Sequence, residues 1–196
     1  MIMSDMTEIE REELISTAKA AINDDPIAWF DELYDLANRD SSMIPWARMS
    51  PNPIMMDWVK GNHSGGKALI VGCGLGDDAV GLEELGFQVT AFDISQQCID
   101  WCRERFPKSS VDWQVADILE PPQQWLEQFD LVVEIHILQA IPDGGIRELA
   151  AKNLPKLLDK DGFLLCIGRL DNGGQMIQTP PWPLKEVWLK DSFRSL

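Results

Sequence analysis

The stretch ALIVGCGLGDDA, residues 68–79, decides the fold: an apolar run ends in three alternating glycines, and two aspartates then open a helical pattern. A short apolar run bounded by glycine reads as a buried strand, and acidic residues suit the first turn of a helix. Glycine at Gly72, Gly74 and Gly76 lets the backbone take positive φ and come within contact distance of a ligand that a Cβ would hold away. Outward from this strand, turn and helix, Gln88–Phe92, Val111–Val115, Leu131–Ile135 and Phe163–Ile167 read as further strands, after a first strand at Lys67–Val71. Helical periodicity links the first three and the last two, as in Cys98, Ile99, Cys102 and Phe106, or Ile146, Leu149, Ala150 and Leu157. That alternation predicts an α/β domain with right-handed crossovers and a mostly parallel sheet covered on both faces. Pro155 predicts a kink or restart near Asn153, because an interior proline costs about 3 kcal/mol.

The chain has 196 residues, 45% of them hydrophobic, and a formal net charge of -15. Its length predicts a single domain over 1–196. Such an acidic chain is a poor partner for nucleic acid, whose phosphates are bound largely by Lys and Arg. The N-terminus carries Asp5, Glu8 and Glu10 where a signal peptide would be basic, and no apolar run approaches membrane-spanning length. A cytoplasmic protein with no membrane partner is expected. Cys73, Cys98, Cys102 and Cys166 lie within apolar or helical patterns and read as reduced core thiols; Cys98 and Cys102 share a helix face, but no Cys-x-x-Cys supports zinc.

Residues 1–62 predict a helical cover and 63–196 the α/β core. Thr7 and Glu10 read as a capping box before Leu14, Ile15, Ala18, Ala21 and Ile22. A second helix is expected to open at Asp25-Pro26, with Ile27, Phe30, Leu33, Tyr34 and Ala37 as its apolar stripe. A short helix, Ile54–Lys60, is expected to end at Gly61, with His63 in the linker beyond.

Asp93 ends the second strand, where a carboxylate can accept both hydroxyls of a ribose. A nucleoside-bearing cofactor fits that spacing. Nicotinamide enzymes share it, but their G-x-G-x-x-G fingerprint ends in glycine or alanine where this chain has Asp77, which would repel a pyrophosphate. S-adenosylmethionine has no phosphate and is cationic, so acidic residues at the turn are tolerable. Asp77 and Asp78 are expected to meet its ammonium or to favour the helix N-terminus.

From Trp46 to Trp188 the sequence resembles the class I S-adenosylmethionine-dependent methyltransferase family of the small-molecule type. The resemblance implies a Rossmann-like doubly wound sheet of order 3-2-1-4-5. It implies that Gly72, Cys73, Gly74 and Gly76 approach the methionine part and that Asp93, followed by Ile94, holds the ribose. It places Asp117 on the adenine amino group, Ile118 against the ring and Glu134, at the end of the fourth strand, beside the cofactor. Trp46, Pro51 and Pro53 resemble an entry segment that folds over the cofactor, and Pro180–Leu184 resembles the opening of the helix after the fifth strand. Trp46 and Trp182 lie where they could wall a substrate pocket.

Two departures matter. Many small-molecule methyltransferases read Leu-Glu-His-Ile-Pro after the fourth strand, and this chain reads Leu138-Gln-Ala-Ile-Pro142. The family's histidine role therefore does not carry over, and His136, just past the strand, becomes the candidate base because histidine changes charge near neutral pH. The family's sheet usually ends with an antiparallel strand pair, whereas this chain reaches Leu196 within or just after the preceding helix. An exposed fifth strand is then expected to template pairing with a second copy. The expected reaction is methyl transfer to a small-molecule acceptor by in-line displacement, without a metal, giving S-adenosylhomocysteine. An NAD(P)-dependent oxidoreductase and a catalytically inactive cofactor-binding protein are the alternatives. No Pro-Pro-Tyr signature of DNA adenine methylation follows the fourth strand.

Overall fold

The computed structural model describes residues 3–21, 29–62, 65–173 and 180–196, with the backbone alone at 3–7 and 18–21. Ile22, Asp25, Pro26, Ile27 and His63, each read from the sequence, lie outside the described residues. Five strands form one parallel sheet of order β3-β2-β1-β4-β5. They are β1 (Gly66–Val71), β2 (Phe87–Asp93), β3 (Asp112–Val115), β4 (Phe129–Ile135) and β5 (Leu158–Ile167). Helices α1 (Met3–Ala21), α2 (Trp29–Leu36) and α3 (Pro53–Asn62) precede the sheet; α4 (Asp77–Glu84) and α5 (Gln96–Arg105) link the first three strands. Helices α6 (Ile137–Ala140) and α7 (Gly145–Asn153) link β4 to β5, and α8 (Glu186–Ser192) follows. The doubly wound parallel sheet and its order are those expected.

Alternation along β1 explains the two-sided core. Ala68 and Ile70 pack on one face with Met55, Val59, Leu82 and Ile99. Leu69 and Val71 pack on the other with Ile118, Leu138, Leu154 and Leu157. A third cluster joins α2 to α5 and the glycine turn through Leu33, Tyr34, Ile44, Leu75, Cys98 and Trp101. In register, Val71 faces Phe92 of β2 and Glu134 of β4, and Asp93 faces Val115 of β3. The carboxyl ends of four strands therefore meet beside β1, where the winding reverses and α/β sheets open a crevice for ligands.

Several boundaries differ from the sequence reading. Helix α1 already runs at Met3, so Thr7 lies within it and does not cap it. Helix α3 continues past Gly61 to Asn62, whose amide bonds back to the Trp58 carbonyl at 2.7 Å. Strand β5 begins at Leu158, because Asp159–Gly162 bulge between two stretches that both pair with β4. The polar composition of that bulge hid the first stretch. Helix α7 stops at Asn153 and a tight 3-10 turn through Pro155 follows, the restart that the proline predicts. Beyond β5 the chain returns beside its own extension: Leu184 donates to the Arg169 carbonyl at 3.0 Å and accepts from Asp171 at 2.8 Å. Among the described residues no strand pairs with the outer side of β5 itself. Phe163 there sits edge-on to Trp58 of α3, ring centres 6.1 Å apart.

Asn153 ties this architecture to the crevice. Buried at the end of α7, its amide donates to the carbonyls of Ile118 and Leu119, both at 2.9 Å. Asn153→Ala strands those acceptors, and an unsatisfied buried group costs about 1–3 kcal/mol. An unfolding free energy in urea lowered by that much is expected, and an unchanged value would refute the clamp.

Candidate functional site

A cavity of about 890 Å³ opens at the crevice. Its floor is the glycine turn. Gly72, Gly74 and Gly76 all have positive φ, at 61°, 51° and 87°. Only at Gly74 would an added Cβ find ordinary contacts, at 3.7 Å from Trp46 and from the Tyr34 hydroxyl. A Cβ on Gly72 would strike the Ile137 side chain, and one on Gly76 would lie 2.7 Å from the Trp113 ring. Two of the three glycines thus leave no room for a Cβ, and the third lies at ordinary contact distance from Trp46 and Tyr34.

The Gly74 peptide is held on both sides. Its N–H donates to Asp93 Oδ2 at 3.1 Å, while its carbonyl accepts the thiols of Cys98 at 2.8 Å and Cys102 at 3.0 Å. The i, i+4 spacing aims both thiols from one face of α5. Burial pushes the Cys98 and Cys73 thiols up, which keeps them protonated as donors. All four cysteines are free.

Asp93 lines the cavity with 8% of its surface exposed. Burial pushes its carboxyl up to about 6, against the opposing pull of the Ser95 and Gly74 amides. A carboxylate offers about four acceptor positions. The two amides, at 3.2 and 3.1 Å, leave acceptor capacity on a group that faces ligand space. Ile94, Asp117 and Ile118 continue the same wall, with Asp117 accepting from the Leu119 amide at 2.8 Å. Trp46 covers the floor: its indole N–H donates to the Tyr34 hydroxyl at 2.9 Å, and Trp29 and Phe30 meet its ring edge-on. Burial raises the Tyr34 phenol well above its ordinary value, so it stays protonated.

Four more residues read from the sequence, Asp77, Asp78, Glu134 and Trp182, are placed as follows. Asp77 is held by both guanidinium nitrogens of Arg105, at 2.8 and 2.9 Å, in a largely buried pair. Its charge is thus partly neutralised, and its repulsion of a pyrophosphate is weaker than the sequence implied. Asp78 accepts from the Asn52 amide at 2.6 Å. Glu134 does not line the cavity. Only 1% exposed, it accepts from the Ile137 and Leu138 amides at 2.9 and 3.3 Å and from the Cys166 thiol at 2.6 Å. It thereby caps α6, and burial raises its carboxyl. Trp182 also lies off the cavity wall, its ring 5.9 Å from the Arg147 guanidinium, while Pro180 and Pro181 take the lining position.

His136 also lines the cavity, with its Nδ1 2.8 Å from Gln139 Oε1. Its φ of 63° is left-handed, a conformation that costs a residue with a side chain about 1–3 kcal/mol and that concentrates at functional sites. Sequence reasoning missed Tyr34, Phe30, Arg48 and Arg169 as lining residues. Tyr34 and Phe30 were legible only as a helix stripe, and no local pattern marks the two arginines. No group of three or more His, Cys, Asp or Glu side chains that could hold a metal occurs among the described residues, nor is any helix there long and apolar enough to cross a membrane.

A methyltransferase-domain family model matches residues 68–162, which span β1 to the bulge of β5 and carry the glycine turn, Asp93 and Asp117. Over these residues the chain resembles the class I S-adenosylmethionine-dependent methyltransferases, and it shares their fold. Among curated relatives, a probable thiol methyltransferase 2 of Arabidopsis thaliana is 28% identical over 131 residues, covering 65% of this chain and 58% of that protein. A ubiquinone biosynthesis O-methyltransferase of Azoarcus sp. is 30% identical over 96 residues, covering 47% of this chain and 41% of that protein. The chain thus spans roughly half the length of these relatives. Among solved structures, one from work on conversion of a disulfide bond into a thioacetal group during echinomycin biosynthesis matches with a TM-score of 0.70, at 23% identity over 84% of this chain and 75% of that one. A phosphoethanolamine N-methyltransferase 2 of Haemonchus contortus, solved with S-adenosylhomocysteine, matches at 0.59 and 20% identity over 75% of this chain and 37% of that one. Both share the fold.

The Gly76 geometry yields a direct test. Gly76→Ala imposes a strained φ and a clash with Trp113, and is expected to cost about 2 kcal/mol or more in denaturant unfolding. Gly74→Ala shares the strain of a positive φ but meets only ordinary contacts at 3.7 Å, and should cost less; the reverse order would contradict this difference in packing.

Proposed function

We propose that this chain is a class I methyltransferase that binds S-adenosylmethionine in the cavity and transfers its methyl group to a small-molecule acceptor, leaving S-adenosylhomocysteine. The observation that carries the reading is Asp93, a buried carboxylate with spare acceptor capacity on the wall of a cavity whose floor, at Gly74, has no side chain. A ribose diol supplies the two donors such a carboxylate lacks. Asp117 and Ile118 flank it as partners for an adenine amino group and ring, and the floor at Gly72–Gly74 lies against the methionine part. When bound, the cofactor supplies an electrophilic methyl on a cationic sulfur.

The chain's own residues then position and desolvate. Phe30, Trp46, Ile137, Ile146 and Pro180 give the remaining wall an apolar, partly aromatic surface, which favours an apolar small molecule and excludes water from the reacting atoms. Holding nucleophile, methyl and sulfur in line lowers the barrier without covalent participation by the protein. His136 is placed to take the acceptor's proton as the new bond forms. The net charge of -15 agrees with an acceptor other than nucleic acid.

Calorimetric titration with S-adenosylhomocysteine tests the reading. Because the Asp93 carboxyl is pushed up to about 6, the ligand-binding carboxylate is lost as pH falls through that value. Affinity should then fall about tenfold per pH unit below about 6 and level off above it, and Asp93→Asn should weaken binding and flatten that dependence. Binding of NADH with no binding of S-adenosylhomocysteine would overturn the assignment in favour of a nicotinamide enzyme. On an acceptor found by screening, His136→Gln should lower kcat/KM about 100-fold while leaving S-adenosylhomocysteine affinity in place. Unchanged turnover across pH would remove His136 as the base.

A further inference from the structure

Gln139, in α6 just past the end of β4, is fully buried. Its amide is saturated. Nε2 lies 2.6 Å from the Arg169 carbonyl and 3.0 Å from the Trp182 carbonyl, and Oε1 lies 2.8 Å from the Arg169 amide and 2.8 Å from His136 Nδ1. These partners fix which end of the amide is which. Carbonyl oxygens only accept, so two of them must face the NH2; the Arg169 N–H only donates, so it must face the oxygen. The flipped amide would set oxygen against two oxygens and NH2 against an N–H. With its orientation forced, Oε1 can only accept from His136, so Nδ1 must carry a hydrogen. In a neutral imidazole the other nitrogen, Nε2, then holds the lone pair.

We infer that Gln139 is a positioning residue that locks His136 in its Nδ1–H tautomer, leaving Nε2 as the basic nitrogen on the imidazole that lines the cavity. The lock is rigid from both sides. Gln139 is anchored to the chain leaving β5 and to the segment after Pro181, and His136 is anchored by its own N–H on the Ile167 carbonyl at 2.9 Å. Gly168 makes the lock fit, since a Cβ there would lie 2.7 Å from Gln139 Oε1. One neutral hydrogen bond available to one tautomer alone biases the equilibrium roughly tenfold. The use of Nε2 as a proton acceptor rests on the methyl-transfer reading; the tautomer itself does not.

The chain contains only two histidines, His63 and His136, so long-range nitrogen–proton NMR correlations of the uniformly nitrogen-15-labelled apoprotein at pH 8 are simple to assign, with His136→Gln identifying the set that disappears. The expected spectrum shows protonated Nδ1 and bare Nε2 at His136. Protonated Nε2 in the wild type overturns the proposal. Two variants separate positioning from scaffolding. Gln139→Glu and Gln139→Leu both give up the amide NH2 that donates to the two carbonyls, but only the glutamate keeps an acceptor for Nδ1. Gln139→Glu should hold the Nδ1–H pattern and Gln139→Leu should lose it, moving toward the mixture of free histidine. Identical patterns in the two variants overturn the role of Gln139. If Gln139→Leu prevents folding, judged by circular dichroism, the wild-type and Gln139→Glu spectra decide. Absence of S-adenosylhomocysteine binding alongside the expected spectra would sink the methyl-transfer reading and leave the tautomer lock standing.

Discussion

The peptide of Gly74 is gripped from two directions. Its N–H bonds to the Asp93 carboxylate at the end of β2, and its carbonyl takes two thiols from α5. These bonds cross between elements far apart in sequence, so the floor of the cavity is set by how β1, β2 and α5 stack. The parallel pairing of β1 with β2 and β4 makes that stacking possible, because it ends the strands side by side at the point where the winding reverses. Those bonds hold both the conformation of the turn and the orientation of the carboxylate beside it.

Buried carboxylates in this fold are handled in three ways. Glu134 is consumed by structure, with its oxygens on two helix amides and a thiol. Asp77 is matched by Arg105. Asp93 is left desolvated at the cavity wall with acceptor capacity to spare, and burial pushes its carboxyl up to about 6; Asp78, on the same wall and also raised by burial, accepts from the Asn52 amide. Burial without full satisfaction is costly, and such positions are where a ligand's donors gain most. The same contrast separates the two polar side chains after β4: Gln139 has every hydrogen-bonding position filled, while His136 keeps one ring nitrogen for the cavity.

Much of the fold was legible because it rests on local periodicity. Ala68–Val71 had to be a buried strand and the following glycines a turn, and the alternation of such units implied a doubly wound sheet. The first stretch of β5 was not legible, since Asp159–Gly162 looks like a loop and pairs only because Leu158 meets Phe129 of β4. At the site, Asp93 and Asp117 were legible from their places at strand ends. Glu134 has the same kind of place, yet the turn into α6 draws its side chain onto backbone amides. Asp77 looked like a free negative charge until α5 brought Arg105 to it.

The sequence by itself determined the order of elements, the glycine turn and the acidic strand ends, because backbone geometry and hydrophobic periodicity act over a few residues. Only the tertiary structure decided which of those acidic groups keep acceptor capacity, which glycines leave no room for a Cβ, and which nitrogen of His136 meets Gln139. Those outcomes depend on partners 19 to 30 residues or more away, such as Gly74 with Asp93 or Gln139 with Arg169. Hydrogen bonding and desolvation are settled by what packs alongside, and no local pattern records that.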